Sequence, residues 1–178
     1  MFPFVRFVKD ILIARRQPPL AINEIHVSHH ICWPWDVDMF LELNNGRTLT
    51  LYDLGRFMTA QRGGLIRAIV NNGWTLAMAG ATVRYRKRVT MFQRIEMRSR
   101  CVGWDDRFMY LEQSMWNRKG ECTSHVLYRA AAVRKGKSVP PMQVAEAMGV
   151  DPVSPPLSDW IVAWSEADAQ RPWPPMQE

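Results

Sequence analysis

Several things are scarce in this chain, and each scarcity closes a route. Cysteine occurs three times, at Cys32, Cys101 and Cys122, widely spaced and without a C-x-x-C pair. An odd, scattered set argues against a disulfide framework and for reduced thiols in a cytoplasmic setting, each filling a core position as a small hydrophobe. Histidine occurs four times, with His26, His29 and His30 close together. On a strand His26 and His30 share a face while His29 points away. That is poor geometry for a metal centre, and neither a metal nor another cofactor is expected. No uninterrupted apolar run approaches the roughly 20 residues of a membrane span. No apolar segment with a small-residue cleavage site marks a signal peptide. A G-x-S-x-G elbow is missing, and no cysteine has an obvious base beside it, so the usual activated nucleophiles are not legible. There is no internal repeat and no low-complexity tract.

What remains is a chain of 178 residues, long enough for one domain with a substantial core and short for two. Hydrophobic residues make up 47% and charged residues 22%, as in an ordinary globular protein. Eight Trp and eleven Met are many, which fits a Met-rich core, an oligomer interface or a binding tunnel. Lys and Arg exceed Asp and Glu by six, a sign that favours polyanionic partners without choosing among them. Nucleic acid is not expected, because the basic residues alternate with core residues and are not interleaved with exposed aromatics.

Residues 1–19 open with Phe4, Phe7, Val8, Ile11 and Leu12 at helical spacing, and Pro18-Pro19 ends the segment. This is an amphipathic helix that packs on its own domain or a partner subunit, or else makes weak contact with a membrane surface through residues 1–16. A first strand follows over 23–33. From about Arg47 the pattern turns helical, with Asn44 or Asn45 as the cap. Leu49, Leu51, Tyr52, Leu54, Phe57 and Met58 surround most of this helix, so it is expected to be buried on nearly all sides. A sheet wrapped around a central helix would meet that demand. Gly63-Gly64 interrupts, and a shorter helix runs to Asn71-Asn72-Gly73. Four strands then follow, over 74–88, 94–104, 107–116 and 124–134, with short polar turns between the last three. Read in order they predict an antiparallel meander, the first strand having one buried and one solvated face. Residues 20–135 form the domain, and 136–178 are a C-terminal extension with short helices and a Pro-rich end.

The chemistry concentrates between Trp33 and Arg56. Asp36 and Asp38 stand at alternate positions in an apolar run, which puts them on one side of an extended segment. Glu42 follows, then Asn44-Asn45-Gly46 at the helix start. The plain reading is a pair of turn carboxylates and a helix cap. A carboxylate just before a helix N-terminus among Trp, Met, Phe and Leu is also a group whose pKa a protein can tune. The amides of Asn45 and Gly46 are suited to a developing oxyanion, since the helix dipole favours negative charge there. Gly80, near the middle of a strand, is a second such place, or else a bulge. Arg84, Arg86 and Arg88, with Lys87, Arg98 and Arg100, are either a solvated sheet face partnered by Glu96 and Glu112 or a landing surface for phosphates.

The spacing of Asp36, Asp38, Asn44, Asn45 and Arg56, with the order of elements after it, resembles the hotdog-fold acyl-CoA thioesterases of the 4-hydroxybenzoyl-CoA thioesterase-like group. The resemblance covers roughly residues 20–135. It implies an α+β fold, an antiparallel sheet wrapped around a long central helix, and hydrolysis of an acyl-CoA thioester to free acid and coenzyme A. It implies that Asp38 attacks the thioester or activates water, and that the site lies at the seam of a homodimer or of a tetramer built from dimers. The phosphates on the basic strands would then be those of coenzyme A. Many relatives have His where this chain has Glu42, so Glu42 is either an auxiliary acid or base or an ordinary surface residue. That departure also keeps open a non-catalytic hotdog protein that binds acyl chains or serves as an assembly subunit.

Overall fold

Asn44 sets the start of the central helix. Its Oδ1 accepts hydrogen bonds from the Gly46 and Arg47 amides at 2.9 and 3.1 Å, which satisfies two of the free N–H groups at a helix start. The computed structural model describes residues 2–176; Met1, Gln177 and Glu178, at the ends of the terminal segments, lie outside them. Within it, helix α1 spans Phe4–Ala14, strand β1 His26–Ile31, helix α2 Asn45–Arg62 and helix α3 Leu65–Asn72. Strands β2 (Thr75–Tyr85), β3 (Arg94–Trp104), β4 (Met109–Trp116), β5 (Cys122–Arg134) and β6 (Lys137–Val139) follow, then α4 (Pro141–Met148) and α5 (Asp159–Ala169).

The sheet is antiparallel throughout, in the order β1-β3-β4-β5-β2. The expected four-strand meander is therefore corrected. Only β3, β4 and β5 follow one another as neighbours, and β2 crosses to the far edge to pair with β5 from Thr75↔Val133 to Tyr85↔Ser124. Local alternation cannot register this, because strand order depends on contacts about 50 residues apart. The expected division of β2 into a buried and a solvated face also fails: nearly the whole strand is exposed in the single chain.

The sheet curls around α2, whose Leu51, Tyr52 and Leu54 pack on Met97, Leu111, Met115, Val126 and Tyr128. From Arg47 to Arg62 no residue of α2 is fully exposed, as its all-round apolar pattern predicts. Helix and sheet meet closely at Gly55, where a Cβ would stand 2.6 Å from Met97 Sδ and from Ser99 Oγ. The buried Gln113 amide stitches the two layers by donating to Tyr52 O at 2.9 Å and Ser99 Oγ at 2.7 Å.

The residues after 135 are part of this architecture. β6 extends the sheet beside β5, and Val139, Val144, Ala145 and Met148 share a core with α3. α5 covers the outer face through Ile161, against Tyr110 and Leu127, and an ion pair joins Arg129 to Asp168. β5 is thus buried on both faces over most of its length.

Helix α1 is amphipathic but docks with polar groups inward. Asp10 and Ala14 are buried, whereas Phe4, Val5, Val8 and Leu12 face solvent. The inward polar groups have partners or close neighbours. Arg6 reaches Asp36, and Asp10 lies 3.9 Å from His30. Burial, reinforced by the Lys9 and Arg6 charges, pushes His30 down to about 3, so its imidazole is neutral. No helix among the described residues is long and apolar enough to cross a membrane.

Candidate functional site

The two aspartates of the motif have different surroundings. Asp36 is fully buried, with 0% exposure. One oxygen accepts from Arg6 at 2.5 Å and from the Trp33 amide at 2.9 Å; the other accepts from Arg47 Nη2 at 2.8 Å and Nε at 3.1 Å. Burial alone would raise its pKa, but these donors more than offset it and hold the carboxyl below the usual carboxylate range. Asp36 is therefore the anchor of the segment, tying α1, the Pro34–Asp36 turn and the start of α2 together. Arg6 and Arg47 are partners of Asp36 that the sequence did not flag. Their pairing spans 30 and 11 residues and leaves no periodic signal.

Asp38 is half-buried at the head of a tight loop. Its amide donates to Glu42 O at 2.9 Å, its carbonyl accepts from Leu41 at 3.0 Å, and its Oδ1 accepts from Phe40 N at 2.9 Å. Val37 and Leu43 close the loop as a β-bridge, and Leu41 takes a positive φ of 58°. Among the described residues Oδ2 of Asp38 has no hydrogen-bond partner, so one carboxylate oxygen is free to act. Met39, Phe40 and Leu41 around it are exposed, Met39 to 85%.

Glu42 pairs with Arg88 at 2.9 Å and bridges to Thr90. The structure thus brings Glu42, Asn45, Arg86, Lys87 and Arg88 to one shallow recess of about 260 Å³, with Tyr85 and Thr48, at the start of α2. Arg84 is exposed on β2 and does not line it. Arg98 and Arg100 belong elsewhere: they pair with Glu96 and Glu112 at 2.7 and 2.6 Å on a solvated sheet face. Of the expected oxyanion donors, the Gly46 amide is already bonded to Asn44 Oδ1. The Asn45 amide has no such partner among the described residues. Gly80 sits at a register shift after Met78, and a Cβ there would stand 3.0 Å from Arg129 Nε. The chain's own arginine fills the space above it.

A second cavity, apolar and about 350 Å³, lies beside the C-terminal half of α2. Phe57 and Ala60 of α2, Leu76 and Met78 of β2, Met109 of β4 and Phe7 of α1 line it. Two charged residues break this wall. Asp53 and Arg56 form an ion pair one helical turn apart. Burial pushes the Asp53 carboxyl up, with Arg56 opposing. At 1.5 Å per residue, Asp53 lies about 12 Å along the helix from Asn45. The motif contained Arg56, and the i,i+3 spacing of Asp53 was its available signal.

The model of the thioesterase-like superfamily matches residues 32–164. Protein THEM6 of Xenopus laevis is 34% identical over 163 residues, covering 90% of this chain and 77% of its own. Among solved structures, the probable thioesterase YbaW of Escherichia coli superposes with a TM-score of 0.64 at 12% identity, over 68% of this chain and 95% of its own. The DHNA-CoA thioesterase of Staphylococcus aureus gives 0.61 at 13% identity, over 82% and 91%. At these identities the two structures speak for the fold, which the curled sheet and enclosed helix share. The matched segment runs from Cys32, just after β1, into the covering helix α5, and on that footing this chain belongs to the hotdog-fold thioesterase-like superfamily.

Proposed function

We propose that the protein hydrolyses the thioester of an acyl-CoA, with Asp38 as nucleophile or general base. The observation that carries this is the free Oδ2 of Asp38 on a loop pinned by the buried Asp36, a few residues before the N-terminus of α2. The Asn45 amide is the oxyanion donor, favoured by the helix dipole. The recess holding Arg86 and Arg88 receives phosphates of coenzyme A, with Arg84 at its approach. The apolar cavity takes the acyl chain, its volume being within the usual range of ligand pockets. Because the cavity begins about 12 Å along α2, a long chain fills it and a short one does not. Hydrolysis rates across an acyl-CoA panel should rise with chain length; flat or absent activity across the panel would remove this reading. The three free cysteines support a reducing, cytoplasmic setting.

The working unit in this proposal is a homodimer, or a tetramer of such dimers, with Asp38 near the partner chain. β2 is a long, exposed edge strand on which even the cavity-lining Leu76 and Met78 stay partly uncovered in the single chain, and an uncovered apolar edge is a liability that a second copy removes. Ala79→Lys with Ala81→Lys would set like charges opposite one another across a two-fold axis. Light scattering should then report a monomer where the parent protein is a dimer, with little change in Tm; a monomeric parent would refute the assignment.

Two further observations favour additional readings. Glu42, where the resemblance puts His in many relatives, is held in an ion pair with Arg88, which favours a non-catalytic acyl-binding or assembly subunit. The outward Phe4, Val5, Val8 and Leu12 of α1, with exposed Lys9, Arg15 and Arg16, favour weak contact with an anionic membrane surface. Cosedimentation with anionic vesicles should fall when Val5 and Val8 are replaced by Ser; equal binding by parent and variant would dismiss the contact.

A further inference from the structure

Helix α1 and the residues leading into it close one side of the apolar cavity. Phe2 and Phe7 line it, and the Phe7 ring packs edge-on against Phe57 of α2 at 4.8 Å. The docking of α1 is incomplete. The Asp10 carboxylate and the His30 imidazole face one another across the seam between α1 and β1, 3.9 Å apart. Both side chains are buried, and Asp10 Oδ2 and His30 Nδ1 have no hydrogen-bond partner among the described residues. Buried polar atoms left unpaired weaken the contact that encloses them, and water would satisfy both.

The helix is also rolled away from its own apolar axis. At roughly 3.6 residues per turn, Phe4, Phe7, Val8 and Ile11 form one apolar stripe. In the docked helix that stripe is split: Phe7 and Ile11 are partly covered, while Phe4 and Val8 are 66% and 54% exposed. Asp10 takes the place against the body instead. A roll that turned the whole stripe outward would send Asp10 and Arg6 toward water. The chain permits such a roll. Pro18 O accepts from Arg62 Nε at 3.1 Å and the Leu20 amide donates to Arg62 O at 3.2 Å, so the turn over 15–17 is a hinge on a fixed base. Asp36, which Arg6 would leave, keeps its bonds from Arg47 and from the Trp33 amide. The charges around the stripe name the surface it suits. Lys9, Arg15 and Arg16 are exposed, and Asp10, the one acid within residues 2–16, is buried. Cations flanking an apolar face match anionic lipid headgroups.

We infer that α1 is a lid opened by an anionic lipid bilayer: its apolar stripe enters the lipid, Phe7 leaves the cavity wall, and an acyl chain passes from the bilayer into the cavity. The inference rests on the surface contact and the acyl cavity proposed above. A bilayer favours the open form because it takes up Phe7 and Ile11 only when the helix rolls, and a ligand shifts an equilibrium only by such a difference.

Cys101 reports the lid without any hydrolysis. It lines the cavity and is 6% exposed, whereas Cys32 is fully buried in the other part of the core. Alkylation of each by N-ethylmaleimide is followed by mass spectrometry on the full chain, alone, with phosphatidylcholine vesicles, and with vesicles containing phosphatidylglycerol. The anionic vesicles should speed alkylation of Cys101 about tenfold or more and leave Cys32 unchanged, as a local opening does. Val5→Ser with Val8→Ser should remove this acceleration together with vesicle binding. Asp10→Leu should do what a loss of binding would not. It gives α1 an apolar inward contact, so vesicles should still bind while Cys101 stays slow. An alkyl thioether of coenzyme A, which a thioesterase cannot cleave, should protect Cys101 in the presence of anionic vesicles. Vesicle binding with Cys101 as slow as in the free parent protein would overturn the lid and leave the surface contact standing. Equal acceleration of Cys101 and Cys32 would also overturn it, since that is unfolding. Acceleration without protection by the thioether would overturn the acyl assignment of the cavity, and no vesicle binding would overturn contact and lid together.

Discussion

Asp38→Asn should lower turnover on a good acyl-CoA substrate by about 10²–10⁴-fold, the usual contribution of a general base or nucleophile. The substitution keeps the shape of the side chain and leaves an oxygen to accept from the Phe40 amide at the 2.9 Å geometry that holds the loop. What it removes is the negative charge on the unpartnered oxygen. KM should change little, because the basic recess and the apolar cavity are built from other residues. Tm should move by a degree or two at most, since Asp38 is half-exposed and makes a single side-chain hydrogen bond among the described residues. Near-full turnover in Asp38→Asn would move the catalytic assignment to Glu42 or to a water held by backbone amides.

Asp36 carries the opposite expectation. Asp36→Ala leaves Arg6 and Arg47 without their shared carboxylate in a fully buried position. Breaking a buried ion pair costs about 3–5 kcal/mol, or roughly 6–20 °C in Tm for a chain of this size. Asp36→Asn keeps one acceptor and should cost less. Turnover of the folded fraction should fall far less than in Asp38→Asn. The pH dependence has a definite sign. The folded pKa of Asp36 is depressed, because the donors outweigh its burial. Its stabilisation is therefore complete above the unfolded carboxylate value of about 4 and is lost as pH falls through the lower folded value. The Tm gap between the parent and Asp36→Asn should accordingly be widest near neutrality and close in acid. A gap that persists unchanged to strongly acidic pH would mean that Asp36 acts through shape rather than charge.

Much of the fold could be read from local pattern because local pattern caused it. Asn44 caps the helix since its side chain reaches the next amides. Gly64, at a φ of 84°, stands between α2 and α3, a conformation that glycine adopts without strain. The alternation of Ile95, Met97, Ser99 and Cys101 with charged residues became the buried and open faces of β3. What escaped was set by distant contacts. β2 goes to the edge because β5 offers it a free side after β4 has taken the other. α1 turns its polar groups inward because Asp36, 30 residues away from Arg6, is buried beneath it. The same division holds in the site. Asp38 and the helix start were legible as a motif with its spacing. The Arg6–Asp36–Arg47 anchor and the charged pair in the apolar cavity appear only once the chain has folded back on itself.

The most direct test of the central claim is release of free coenzyme A from a long-chain acyl-CoA, followed with a thiol reagent on the folded parent protein. The account predicts saturable release in proportion to protein concentration, abolished with Asp38→Asn. Tight binding of the acyl-CoA with no release above the solvent rate would contradict it, and would make this chain an acyl-binding member of a thioesterase superfamily.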